Sequence, residues 1–186
     1  MNSIEDLKYN FIIEKSQFTS FLEFCEMVDK TDFDLLLNRQ LPTTVKLKFE
    51  NLDLFDKYNE SYFASKVVDI TDKTLILKQS NLWMRDASHL YKDHIEIEVV
   101  PSLNWEMKSD FFFKSKTVEN WIEEIGKNTN AKMIYIIENF ESYHLKWYDN
   151  EILNIKLMDI DSFENSIESF RAVKQMVNNM AAHNIW

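Results

Sequence analysis

Tyr143-His-Leu-Lys-Trp-Tyr148, Asp149-Asn150, Glu151-Ile-Leu-Asn-Ile-Lys-Leu-Met158 is the stretch whose reading decides the fold. Two apolar-rich runs flank a two-residue connection of Asp and Asn. Those residues tolerate positive φ, which a tight hairpin turn demands. Downstream, Asp161-Ser-Phe-Glu164 has the form of a helix cap with its box partner. Phe163, Ile167, Phe170, Val173, Val177 and Met180 then recur at helical spacing. A hairpin followed by an amphipathic helix points to an α+β fold.

The segments upstream agree. Tyr9–Ile13 reads as a strand. Ser16 looks like the cap of a helix over 17–29, with Phe18, Phe21, Leu22, Cys25 and Val28 on its apolar face. A second short helix starts near Thr31 and stops before Pro42. Thr44–Phe49 alternates strictly, as a half-buried strand does. Residues 51–62 fit a helical turn or a loop. Strands are expected near 63–70 and 74–79, joined by Thr71-Asp-Lys. Residues 81–92 read as irregular, anchored by Trp83 and Met84. His94–Val100 is a strand ended by Pro101, and Trp105–Lys114 is another. Thr117 is expected to cap a helix through Lys127 that buries Val118, Trp121, Ile122 and Ile125, with Gly126 where it ends. Ala131–Glu138 is strongly β. Strands cluster in hairpins, and no repeat or linker interrupts them. The expectation is a single α+β domain over 1–186. It has a largely antiparallel sheet with N-terminal, middle and C-terminal helices packed on it.

Composition narrows the function classes. A chain of 186 residues buries roughly 70% of its unfolded surface, enough for a core without staples. Gly126 is the only glycine, so a phosphate-cradling loop or a dinucleotide turn has no material to form from. Thirty-one acids against 21 bases give a formal charge of −10. That argues against direct nucleic-acid binding, which needs a basic footprint, and for a basic protein partner drawn by complementary potential. Cys25 stands alone and reads as a buried, inert thiol. There is no basic n-region with an apolar h-region at the start, and no apolar run approaches the roughly 18 residues of a membrane span. A cytoplasmic location without membrane contact is expected.

Chemistry-bearing residues are sparse. His89 and His94 are five apart, a spacing that shares neither a helix face nor a strand face, and His144 and His183 lie far along the chain. No metal or cofactor is expected. Glu96 and Glu98 share one face of a strand, as carboxylates of metal-dependent nucleases do, but no basic partner follows them locally. They read as the solvated face of a strand whose other face is Ile95, Ile97 and Val99. Asp159-Ile-Asp161 lacks the glycine and glutamate of a calcium loop.

Charge distribution says more. Glu138, Glu141, Asp149, Glu151, Asp159, Asp161, Glu164 and Glu168 are opposed only by Lys146 and Lys156. Trp147 and Tyr148 are interleaved with them. A second acidic group is Glu23, Glu26, Asp29, Asp32 and Asp34. Lys108, Lys114 and Lys116 around Phe111–Phe113 read as guards of a strand edge. Aromatic anchors rimmed by charge are the usual make-up of an interface. The partner-binding set expected on this ground is Trp147, Tyr148, Asp149, Glu151, Glu141 and Asp159. The functional expectation is a non-enzymatic acidic binding protein that inhibits a basic partner. Its concrete form is a bacterial immunity protein or antitoxin neutralising a toxin such as a nuclease. The alternative is a metal-dependent hydrolase or nuclease built on Glu96, Glu98, His94 and His144. A third reading is a subunit of a larger assembly.

Overall fold

The Asp149-Asn150 pair does turn the chain on itself. Both residues have positive φ, 47° and 67°, and they join strand β8 (Ser142–Tyr148) to β9 (Glu151–Met158) with Tyr148 opposite Glu151. The computed structural model describes residues 7–27, 33–38, 42–52, 68–71, 73–101, 113, 115–138 and 142–158. The long helix expected over 161–182, Val28, the ambiguous 53–62, most of the strand near 63–70 and the strand over Trp105–Phe112 lie outside the described residues.

The other strands are β1 (Leu7–Glu14), β2 (Cys25–Met27), β3 (Thr43–Phe49), β4 (Val68–Thr71), β5 (Thr74–Asp86), β6 (His94–Val100) and β7 (Met133–Glu138). They form one sheet in the order β2-β3-β5-β6-β1-β7-β8-β9, with β4 beside the start of β5. Every pairing is antiparallel. Among the described residues the α-helices are α1 (Phe18–Leu22), α2 (Phe33–Asn38) and α3 (Lys116–Asn128). The architecture is broadly α+β and mostly sheet.

β1 is central and buried on both faces. On one face Tyr9, Phe11 and Ile13 join the main core, and Trp121 of α3 meets Tyr9 and Phe11 edge-on at 5.9 Å. Val118, Trp121, Ile122 and Ile125 are buried at helical spacing, so α3 lays one stripe on this face. On the other face Ile12 joins a smaller cluster with Met133, Tyr135, Leu145 and Tyr148.

Several expectations are corrected. Cys25 is buried, but in a strand: α1 ends at Leu22, and 25–27 pairs with β3 because that edge can satisfy its backbone. Ser16 makes no cap; its hydroxyl donates to Glu14 at 3.3 Å. Residues 81–86 are not irregular but continue β5, with Leu82 and Met84 in the main core and Trp83 and Arg85 on the opposite face. The N-cap of α3 is Ser115. Thr117 is buried and its hydroxyl donates instead to the Asn51 carbonyl at 3.0 Å. Gly126 does not end α3. The left-handed end residue is Asn130 (φ 48°), with the Ala131 N–H donating to Gly126 O and the Asn130 N–H to Lys127 O. Gly126 sits inside the last turns because the Trp147 indole lies against it.

Candidate functional site

Two loci gather the residues on which function was expected. The first is the face of β5, β6, β1 and β7 that points away from α3. Register puts Arg85 opposite Glu96, Glu96 opposite Ile12, Asn10 opposite Glu98, and Tyr135 beside Asn10. Alternation in each strand therefore delivers Arg85, Glu96, Glu98, Lys8 and Tyr135 to one patch.

The expectation that Glu96 and Glu98 face solvent is overturned. They are 7% and 8% exposed. Each carboxylate oxygen has a donor. Glu96 accepts from the Tyr135 hydroxyl at 2.6 Å and from Arg85 Nε at 2.8 Å. Glu98 accepts from Arg85 Nη2 at 2.8 Å and from Lys8 Nζ at 3.3 Å. The Arg85 fork thus bridges two carboxylates, a geometry that lysine cannot supply. Two acids, two bases and a phenol make a neutral, mutually satisfied cluster. Burial holds the Glu96 carboxyl above its ordinary range, against the pull of Arg85 and Tyr135. Burial, and then the Glu96 charge, push the Tyr135 phenol well above its usual value. Desolvation works against the Arg85 charge, but Glu96 and Glu98 outweigh it and raise its pKa. The basic partner missing from the local sequence comes from the neighbouring strands.

His94 and His144 do not complete a catalytic constellation here. His94 lies on the same strand face, and its Nδ1 donates to the Lys92 carbonyl at 2.7 Å. His144 pairs in register with Ile136, whose side chain is in the main core, so it lies on the opposite face from Glu96 and Glu98. There its Nε2 is 3.1 Å from Glu138, and its ring lies tilted against Phe113 with centroids 4.3 Å apart. Among the described residues, no group of three or more His, Cys, Asp or Glu could hold a metal ion. No helix among them is long and apolar enough to cross a membrane.

The second locus is the β8–β9 tip. Trp147 is 1% and Tyr148 6% exposed, so in the free chain neither presents an open aromatic surface. The Trp147 indole N–H donates to the Ala131 carbonyl at 2.8 Å. Asp149 and Glu151 are exposed. Asp149 is engaged from within: Lys132 Nζ lies 2.5 Å from its carboxylate, and its N–H donates to the Lys132 carbonyl. Lys132 also stands over the Tyr91 and Tyr148 rings, 5.6 and 6.0 Å from their centroids. Glu141 and Asp159 lie outside the described residues. Sequence reasoning missed Arg85, Tyr135, Lys8 and Lys132. Only the alternation of Trp83 and Arg85 with Leu82 and Met84 pointed toward the first of them.

No protein-family model matches the chain, and comparison with the curated proteins and with solved structures gave no significant match.

Proposed function

We propose that the protein is a non-enzymatic acidic binding protein that inhibits a basic protein partner, in the manner of a bacterial immunity protein or antitoxin acting on a nuclease-type toxin in the cytoplasm. The observation that carries this reading is the charge of −10. A toxin that cuts nucleic acid is basic around its active site, and an acidic blocker is steered to such a site and held there. Sixteen acids and 13 bases fall among the described residues, so the larger share of the acidic excess belongs to the remaining segments, which include Glu141 and Asp159. Asp149 and Glu151 are the members of the expected set that stand exposed, and they form the described part of the contact surface in this reading. Trp147 and Tyr148 support the tip from beneath.

The carboxylate-enzyme alternative is weaker for a specific reason. Its two glutamates are neutralised by Arg85, Lys8 and Tyr135, and His144 is on the far face. The assembly reading also finds little support, since Leu35 is the only exposed large apolar side chain among the described residues.

The test is co-expression with the product of the neighbouring reading frame, followed by co-purification and isothermal titration. A stable complex that weakens as salt rises, and weakens further in Asp149→Lys/Glu151→Lys, supports the proposal. Absence of a complex with any basic partner, or indifference to both reversals in a complex that does form, sinks the assignment of the tip.

A further inference from the structure

On the α3 side of the sheet, a small open cleft with a cavity volume of about 90 Å³ lies between the start of α3 and β8–β9. Phe113, Ile122 and Ile152 give it apolar walls, and Lys146 and Asn154 enter it from the two strands of the hairpin. Lys146 is half-buried, and its Nζ donates to Asn154 Oδ1 at 2.8 Å and stands 5.3 Å from the centre of the Phe113 ring. A neutral amide and a ring face are modest compensation for a partly desolvated ammonium. Several other bases on the sheet are met by a carboxylate: Lys8 by Glu98, Lys15 by Asp86, Lys46 by Glu26, Lys132 by Asp149. The acid in the cleft wall, Glu119, is turned to Lys116 at 2.5 Å. Desolvation lowers the Lys146 pKa, with the Glu119 charge opposing it, which accords with an ammonium short of a counter-charge.

We propose that this cleft binds a small monocarboxylate with an apolar tail, its head on Lys146 Nζ and the Asn154 amide and its tail against Phe113, Ile122 and Ile152. The charge count selects the ligand. Among the described residues Lys146 has no ion pair, so it can match one negative charge, and the second charge of a dianion or phosphate ester would find no further cation there. A carboxylate takes one donor on each oxygen, and Asn154 can turn its NH₂ toward the ligand while Lys146 contributes the other. Apolar walls with a few convergent polar groups are the common make-up of a small-ligand site. The site is separate from the β8–β9 tip, and its test does not depend on a toxin partner.

The experiment is titration of the full chain with octanoate, 1-octanol and octanedioate by calorimetry, with amide chemical shifts to locate the site. Octanoate is expected to bind saturably and roughly tenfold more tightly than 1-octanol, the difference a charge-assisted hydrogen bond makes. Octanedioate should be weaker than octanoate. Lys146→Met should weaken octanoate about tenfold and leave 1-octanol unchanged. Asn154→Asp places a competing carboxylate beside Lys146 and should do the same; since Asn154 is exposed, this variant keeps its fold and decides the matter if Lys146→Met does not. No saturable binding of octanoate, equal affinity for octanoate and 1-octanol, or full octanoate affinity in both variants overturns the proposal.

Discussion

Gly126→Ala inverts the usual sign of a helix substitution. In an exposed helix interior this change gains up to about 1 kcal/mol, because glycine loses more backbone entropy on folding than alanine. Here the added Cβ would meet three atoms of the Trp147 ring, at 2.5, 2.6 and 2.8 Å. Ordinary carbon–carbon contact is about 3.5–4.0 Å, so ring and helix must separate by roughly 1 Å. Neither gives easily. The indole is 1% exposed and its N–H is bonded to Ala131, whose own N–H closes the end of α3 on the Gly126 carbonyl. Moving the ring strains the structure that shapes the helix terminus. Overpacking of this kind costs about 1–3 kcal/mol, and a weakened buried hydrogen bond adds about 1. Set against the gain in helix propensity, the net is a loss of roughly 1–3 kcal/mol. For a chain of this size that lowers the melting temperature by about 3–10 °C.

The assay is thermal and urea unfolding followed by tryptophan fluorescence and circular dichroism. Trp147→Leu removes the ring atoms that the Cβ would strike, so Gly126→Ala made in that background should be neutral or stabilising. The two changes should therefore couple by about 2 kcal/mol in a double-mutant cycle. An unaltered or raised melting temperature in Gly126→Ala alone, or strict additivity with Trp147→Leu, would refute the close packing of α3 on β8.

Arg85→Met leaves Glu96 and Glu98 buried without their shared counter-charge. The expected loss is roughly 2–3 kcal/mol in urea unfolding, below the 3–5 typical of a fully buried pair because the Arg85 side chain is 56% exposed. Glu96 has a folded-state pKa raised by burial, so the unfolded chain releases this proton first as pH rises. Its contribution is fully present below the ordinary glutamate pKa of about 4.3 and is lost as pH climbs through the raised value. Glu96→Gln should remove that segment of the pH–stability curve, and a curve identical to the parent's would count against the burial. Burial pushes the Cys25 thiol up to about 12, so it should resist a disulfide reagent at pH 8 until denaturant is added. At the tip, Asn150→Gly should gain about 0.5 kcal/mol and Asn150→Val lose about 1–2, since φ at this position is 67°. Equal melting temperatures for the two would mean that the turn is not held in the left-handed region.

The parts of the fold legible in the sequence were those whose signal is local. Thr44–Phe49 alternates residue by residue, and its burial alternates with it. The Asp149-Asn150 turn is written in two residues that accept positive φ. What failed was decided by partners far away in the chain. Cys25 carried a helical pattern with Phe18 and Phe21, and a free edge of β3 drew it into a strand instead. Gly126 looked like a helix end because glycine so often is one; the indole that requires it is Trp147, and the end residue proved to be Asn130. The aromatic residues singled out at the tip are large and interleaved with acids, which suits an interface and a buried support equally well. Only the Ala131 carbonyl and the absent Cβ of Gly126 separate the two.

The ionic cluster was the least legible feature, and its geometry says why. Glu98 meets Arg85 across 13 positions and Lys8 across 90, and Glu96 meets Tyr135 across 39. No window of sequence contains such a set. A local reading sees two glutamates on an alternating strand with no base beside them, and solvation is the economical inference. Four strands brought together by antiparallel pairing reverse it. That reversal also bears on function. Carboxylates that share an arginine fork, with every oxygen already accepting, are poor general bases and poor metal ligands, because each new contact must first break an existing one. The acids left for recognition are those turned to solvent, and among the described residues of the tip they are Asp149 and Glu151. Of the two, Asp149 already spends part of its charge on Lys132, so its reversal breaks an internal ion pair as well as any contact in the proposed complex.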